Sequence, residues 1–526
     1  MNHLKAIRII GFKKFQSLSL KFNEHVNILV GENEAGKSSI LDAIRIVLNQ
    51  HYRNTDKAVL KDLFNMEMVK AFQTSPSIKS LPYITIEVEF ELDPKRKNAE
   101  YFYGEVYGNK SSQKCNYGIR FECKFDEDMS SELATSILQG KIPYEYYLLT
   151  WTTFGNKPYL IQKRPLQFIS IDVTSGTAAT SFNYYNRTLF SNKYDETTQA
   201  KARNDFRDKL EDAFDAIKLP QLDNNRRFGI DGKKVVLDTI LSVYENSISL
   251  ENRGKGMESL IKTQIALDRN SGLDVILMEE PENHLCFSSM KKMIEEICKR
   301  KDNSQIIIAT HSNMIASRLN LKNVLWIANN KVIPLYSVDK DVADFFVKAD
   351  NNAFLQLLLS TKVFLVEGAT EFLLLPYFFN KITGKTIEEA GVTIISCNGI
   401  SYKKYLAIAE QTEKIIAVVT DNDHKQDKID EANQFNNSHE TQHIFMSNDA
   451  NEWTWEVCIY NKNKNILDTM LTLTPGALYK YHGIDYGAPI GKMLNNKVDT
   501  AYQMLMSEKE FDAPQYVKEA IEWLNR

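Results

Sequence analysis

Apolar positions along the chain follow two periods. Residues 83-YITIEVEFEL-92 alternate apolar side chains with Thr and Glu, which predicts a half-buried strand. Short strands are also expected at 4–10 and 18–22. Elsewhere the apolar runs are continuous: 25-HVNILVG-31, 273-LDVILM-278, 304-SQIIIA-309, 362–366, 392–396 and 414–420. Between them lie segments with helical apolar spacing at 38–50, 257–268, 288–301, 370–381 and 401–411. Fully apolar strands alternating with amphipathic helices predict an α/β fold whose parallel sheets are covered on both faces. A helical stretch over 339–360 bridges two such units.

The pattern weakens between 95 and 245. That region holds an aromatic, strand-like piece, 144-YEYYLLTW-151, and one long charged segment over 194–217. The segment sets Ala202, Phe206, Leu210, Ala213, Phe214 and Ile217 on one helical stripe. It reads as a surface helix packed on its own domain or as a dimerisation helix. The expected organisation is a first domain over 1–355, with an inserted, helical region at about 95–245 that includes a dimerisation segment at 190–220. A second domain covers 356–526.

Composition narrows the class without choosing a function. The chain has 526 residues, 43% hydrophobic and 25% charged, with a net charge of −4, so it is globular and not globally basic. A groove for nucleic acid needs only a local basic patch, as at 291-KKM-293, 299-KRK-301 or 402-YKKY-405. The six cysteines form no C-x2-C pair, which argues against zinc and for reduced thiols in a cytoplasm. No uncharged apolar run reaches membrane-spanning length.

Chemistry enters at 31-GENEAGKS-38. Gly31, Gly36, Lys37 and Ser38 match G-x4-G-K-[ST] directly after a strand and at the opening of a helix. Backbone N–H groups of such a turn face a phosphate, helped by the positive end of the helix. Lys37 is expected to reach the β- and γ-phosphates, and Ser38 to ligate magnesium. Asn33 and Ser39 of the same loop are assigned to the nucleotide as well. The strand 275-VILMEE-280 supplies two acids, Glu279 for magnesium and Glu280 as the base that activates water.

These acids in 279-EEPENHL-285, with His311 in 308-IATHS-312, resemble the ABC-type ATPases of the SMC/RecF group. The segment 252-NRGKGMES-259, with Gly254 and Gly256, resembles a degenerate signature loop. In that group such a loop contacts the γ-phosphate of the opposite subunit, which implies ATP sandwiched in a head-to-head homodimer. The departure from the usual signature implies slow hydrolysis.

The second unit presents acids where apolar strands end. 363-VFLVEGATEF-372 carries Glu367 and Glu371, and 417-AVVTDNDHK-425 carries Asp421 and Asp423. Parallel strands deliver such ends to one edge, where α/β proteins place their sites. Clustered carboxylates repel unless a cation joins them, and hard oxygen ligands suit magnesium or manganese. E-G-x-x-E followed by D-x-D resembles the Rossmann-like Toprim fold of topoisomerases, primases and certain nucleases. An ABC ATPase followed by a Toprim unit resembles the OLD-family nucleases, including the ATPase-nuclease subunit of Gabija-type antiphage systems.

That resemblance implies an ATP-regulated endonuclease with two metal ions at the Toprim site and one with ATP. It implies Glu367 as a catalytic ligand, Glu456 in 452-EWTWEVCI-459 as a late metal ligand, and Lys497 as the lysine near the reacting phosphate. Ser396 or Asn398 is expected to line the same site. DNA is the implied substrate, antiviral defence the implied role, and a defence partner protein or non-coding nucleic acid the implied controller. Two other readings stay open: a DNA-repair ATPase with a non-cleaving Toprim module, and primase- or topoisomerase-like chemistry.

Overall fold

In a computed structural model the described residues are 2–526, except 54, 107–114, 130–136, 138, 173–184, 188, 192, 218, 220–221, 223–225, 227, 232–234, 269–271, 350–352, 399–400, 413 and 472–477. They form two compact units. The first comprises 1–319 and 323–334, the second 320–322 and 335–526. The break precedes the expected boundary at 355 because the helix Lys340–Lys348 already packs on the second unit, the Phe346 ring lying 5.3 Å from the Tyr405 ring.

Two sheets build the first unit. One is antiparallel, in the order β2-β1-β4-β6-β5 with β7 also on β6. Its strands are β1 (His3–Phe12), β2 (Phe15–Lys21), β4 (Ile84–Glu91), β5 (Tyr103–Glu105), β6 (Cys115–Phe125) and β7 (Tyr147–Thr153). The other runs β14-β13-β3-β12-β11-β8, parallel except for its edge strand β14. It uses β3 (Val26–Gly31), β8 (Phe168–Asp172), β11 (Val275–Glu279), β12 (Gln305–Ala309), β13 (Val324–Ala328) and β14 (Lys331–Pro334). All residues of β3, β11 and β12 are buried, as continuous apolar runs require. A minor hairpin pairs β9 (Tyr244–Glu245) with β10 (Ile248–Ser249).

The expectation of a helical insertion over 95–245 is corrected here. Its first part supplies four strands: β5, β6 and β7 extend the antiparallel sheet, and β8 pairs in register with β11. Period-2 alternation fails on β6 because both of its faces are covered, leaving six of its eleven residues buried, among them Asn116, Gly118 and Arg120. The helical part is Glu196–Asp215, capped by Asp195 accepting from Thr198 N. Only Gln199 of that helix is buried. The remainder of the expected dimerisation segment lies partly outside the described residues.

The second unit is a parallel four-stranded sheet, β16-β15-β17-β18, from β15 (Lys362–Val366), β16 (Val392–Ser396), β17 (Ile415–Val419) and β18 (Gln442–Phe445). Helices Ala369–Thr383, Trp455–Met470 and Gln515–Leu524 contribute Phe378, Trp455 and Ile521 to its apolar core. A separate hairpin joins β19 (Leu478–Tyr481) to β20 (Ile484–Gly487). Among the described residues, no helix is long and apolar enough to cross a membrane.

Candidate functional site

The phosphate loop leaves β3 and enters the helix Lys37–Asn49. Gly36 caps that helix at φ 104, a left-handed value that suits glycine. A Cβ there would also lie 2.3 Å from the Phe15 ring, so both backbone and space demand glycine. Lys37 is buried, and its ammonium donates to the carbonyls of Gly31 at 2.9 Å and Glu32 at 3.0 Å. Burial lowers its pKa, while Glu280, Glu282 and Glu279 act in the opposite direction. An anion taking the place of those carbonyls would therefore meet a cation that is desolvated and pre-positioned.

A cavity of about 580 Å³ opens beside the loop, lined by Asn33, Gly36, Lys37, Ser38, Ser39, Glu280 and His311 together with Lys13, Lys14 and Asn330. Glu280, at φ 43, follows β11 and accepts from Asn283 Nδ2 at 2.7 Å. Glu279 is oriented differently: Arg45 Nη2 donates to its carboxylate at 3.1 Å. Glu282 receives the Thr310 hydroxyl at 2.6 Å and the His311 N–H at 2.9 Å, which fixes the turn after β12. Burial and then Lys37 lower the pKa of His311. Gly254 and Gly256 do not line this cavity. A Cβ on Gly256 would sit 2.2 Å from the His284 carbonyl, whereas Gly254 has open space around it.

In the second unit, β15 and β17 are hydrogen-bonded neighbours in parallel register, so Glu367 and Asp421 leave the sheet side by side. The Asp421 N–H donates to Glu367 Oε2 at 3.5 Å, and the Thr420 hydroxyl to the same oxygen at 3.1 Å. Asp421 accepts from the Trp455 N–H and the Thr454 hydroxyl, each at 2.8 Å. Thr454 Oγ1 is also 2.8 Å from Glu456 Oε2, so its single proton is shared between two carboxylates. Lys497 donates to that Glu456 oxygen at 2.9 Å. Glu371, in the first turn of its helix, accepts from Gly368 N at 3.2 Å. Lys428 holds Asp423 at 3.0 Å.

Glu367, Glu371, Asp421 and Glu456 stand close enough to perturb one another. Burial and then Glu367 push Asp421 up to about 8, with Glu456 and Glu371 adding to the rise. Burial likewise raises Glu371 to about 7, and Glu456 and Glu367 add to it. Lys497 sits above its ordinary value: burial would lower it, but the Glu456 carboxylate outweighs that. Burial lifts Cys397, beyond β16, to about 12, with further contributions from Glu367 and Glu371. Nearby, the Ser396 hydroxyl donates to Asn398 at 3.0 Å.

Glu367, Asp421, Asp423 and Lys497 line one cavity of about 400 Å³ with His424, Trp453 and Thr454. Glu371 and Glu456 are buried behind it. Among the described residues, no three His, Cys, Asp or Glu side chains stand at metal-binding spacing. The donor set nevertheless fits a hard divalent cation. It is all carboxylate oxygen, and the raised values of Asp421 and Glu371 express burial first and mutual repulsion second, both of which a cation would offset.

Known proteins resemble each unit separately. The AAA ATPase domain family matches residues 3–157 and 176–316, more than half of the chain. The Overcoming lysogenization defect protein-like Toprim domain matches residues 358–423, which include Glu367, Glu371, Asp421 and Asp423. The chain belongs to the OLD family, an AAA ATPase domain joined to a Toprim domain.

Similarity to curated proteins is local. The DNA replication and repair protein RecF of an Exiguobacterium species is 33% identical over 86 residues, 15% of this chain and 23% of the relative. RecF of Lactococcus lactis is 30% identical over 98 residues, 18% of this chain and 26% of that protein. The OLD-family chain thus spans about a quarter of the length of these curated relatives. Among solved structures, the SMC head domain from Thermotoga maritima aligns with a TM-score of 0.30 at 14% identity, over 63% of this chain and 98% of that one. A RecF structure in the RecFOR pathway aligns at 0.33 and 13%, over 64% and 98%.

Motif reading of this OLD-family chain did not find Arg45, which holds Glu279, or Glu282, which holds Thr310 and the His311 backbone. It also passed over Thr454 and Asn422. Buried Asn422, between the two acids of D-N-D, donates to the carbonyls of Ser447 and Asp449 at 3.0 Å each. Arg45 falls eight positions after Lys37 on the same amphipathic helix, a spacing that was the available signal. For Asn422 the signal was its place between two acids. Thr454 had none beyond its nearness to Glu456.

Proposed function

We propose that this protein is an ATP-regulated, divalent-metal-dependent DNA endonuclease of OLD type that acts in antiphage defence. The observation that carries the reading is the junction of β15 and β17, where Asp421 N meets Glu367 Oε2 at 3.5 Å and both acids open onto one cavity with Asp423 and Lys497. Glu367, Glu371, Asp421, Asp423 and Glu456 would hold one or two magnesium or manganese ions. Such an ion, when bound, polarises a phosphodiester and lowers the pKa of a coordinated water.

The chain's own residues do the positioning. Thr454 and the Trp455 N–H fix the Asp421 carboxylate, and Lys428 fixes Asp423. Lys497, paired with Glu456, places a positive charge at the cavity wall against a phosphate. In the first unit, Lys37, Ser38 and the backbone of 31–38 cradle the ATP phosphates, with Asn33 and Ser39 at the loop. Glu280 orients the attacking water and His311 faces it from the next strand. Ser38 would hold the magnesium that accompanies ATP, and Glu279, held by Arg45, would set the local charge there. The loop with Gly254 and Gly256 closes on a second copy's nucleotide, making a homodimer whose ATP state gates DNA access.

Supercoiled plasmid incubated with the protein, with Mg²⁺ or Mn²⁺ and ATP varied independently, tests the reading. Metal-dependent nicking or linearisation that disappears in Glu367→Ala and Asp421→Ala is the expected result. Cleavage by either variant at the wild-type rate sinks the assignment. One observation favours a second reading, a DNA-repair ATPase with a non-cleaving Toprim module: protein donors already engage both Asp421 oxygens. DNA binding unchanged by EDTA and without cleavage would select it.

A further inference from the structure

The hairpin β19–β20 has no part in the reading above, yet it forms one wall of the carboxylate cavity. Tyr481, His482, Ile484 and Tyr486 line that cavity opposite Trp453. A two-stranded hairpin is marginal in water by itself. This one is seated on Gly491, where a Cβ would lie 2.5 Å from Tyr479 Cβ and 2.8 Å from the Tyr486 carbonyl. The close approach holds the aromatic wall in place.

The rings form a continuous group. His424 stacks on Trp453 with centroids 4.8 Å apart and planes 26° apart. Trp453 lies 6.0 Å from Tyr481 and 6.5 Å from Tyr486, tilted by 34° and 39°. Lys497 Nζ sits 5.9 Å from the Tyr481 ring centroid while holding Glu456. Trp453, Tyr481 and Tyr486 are only half-buried, His482 is exposed, and Ile484 is 58% exposed. Apolar and aromatic surface left open beside charged groups marks a binding site more often than a core.

We infer that Trp453, Tyr481 and Tyr486 form a stacking platform for an unpaired nucleobase, so that the DNA taken by the carboxylate site is single-stranded or locally unpaired. The inference rests on the nuclease reading for the identity of the ligand. Among the cavity's described lining residues Lys497 is the one lysine or arginine, and Glu456 already pairs with it, so the chain's own phosphate contacts bring little of the attraction. A base face stacked on aromatic rings supplies it, and does so for any base. Bases inside an intact duplex have their faces covered, and the rings would then have nothing to contact.

The test measures fluorescence anisotropy of the full chain, with Ca²⁺ present, on labelled oligo-deoxythymidine and on an abasic oligonucleotide of equal length. Oligo-deoxythymidine should bind roughly tenfold or more tightly than the abasic strand. Tyr481→Ala and Trp453→Ala should erase the difference, and Trp453→Phe should retain most of it. Equal binding of the two strands, or a difference that survives both alanine variants, overturns the platform. Tighter binding of oligo-uridine overturns its assignment to DNA. Plasmid cleavage is scored separately: base-dependent binding without metal-dependent cleavage leaves the platform standing and removes the nuclease reading, and the opposite pair of results does the reverse.

Discussion

Both units end parallel strands in acids, but the two sets of acids are balanced differently. After β11 and β12, each acid has a protein partner: Arg45 holds Glu279, Asn283 holds Glu280, and Thr310 with the His311 N–H holds Glu282. The buried cation there is Lys37, whose ammonium rests on backbone carbonyls. After β15 and β17, Asp421 and Glu371 have donors too, Thr454 and the Trp455 N–H for one and Gly368 N for the other, but burial first and neighbouring carboxylates second push both up. In the proposed function the first site receives an anion and the second a cation. The same strand-end geometry meets different neighbours: a guanidinium from the helix Lys37–Asn49 beside Glu279, and Glu456 from the helix Trp455–Met470 near Asp421.

The comparison breaks most sharply at Asp421. Asp421→Ala should reduce metal-dependent cleavage by more than the roughly 10- to 100-fold typical of residues that only support a ligand. A quantified plasmid assay reads this, and near-wild-type cleavage would make the acid cluster structural. Thr454→Val removes the shared hydroxyl donor while keeping shape. Mn²⁺ affinity by calorimetry should fall by roughly 10- to 100-fold.

Proton linkage separates the two sites without mutation. Folded Asp421 and Glu371 titrate near about 8 and about 7, above their ordinary values of 3.8 and 4.5. The native state therefore binds more protons than the unfolded chain between those limits, and stability falls as pH rises through that window. In EDTA the second unit's melting temperature should drop from pH 5 to pH 9, and Mn²⁺ should flatten the curve. A metal-free curve that rises over this range would contradict the proposed repulsion.

Smaller effects test the first unit. Arg45→Ala strands a nearly buried Glu279 and should cost about 2 kcal/mol of stability, read by denaturant unfolding. Gly254→Ala should leave folding unchanged within about 0.5 kcal/mol, since nothing lies near its added methyl. It should still weaken ATP-dependent self-association, measured by sedimentation, if that loop meets a second copy.

Much of the parallel architecture was legible because buried strands need unbroken apolar runs. Residues 362–366 and 392–396 were placed without shift as β15 and β16. The phosphate loop was legible because Gly36 answers a local backbone demand. The region 95–245 was less legible: the strand-like piece 144–151 overlaps β7, but β5 and β6 take their meaning from pairing with other strands, β6 with β4. Glu456 is expected from the resemblance as a late metal ligand, with no element assigned to it by the sequence pattern. It lies in the first turn of the helix Trp455–Met470, because Thr454 and Trp455 are drawn to Asp421.

The sequence by itself determined which residue types suited to phosphate and cation stand where, since those demands are local: a glycine at positive φ, a lysine opening a helix, acids where apolar strands stop. Tertiary structure alone decided which acids share an electrostatic field and which donors hold them. It also decided that an aromatic hairpin from 478–487 faces the acids of β15 and β17. Coulomb interaction and desolvation depend on distance through space and on burial, and neither is encoded in the spacing of residues along the chain.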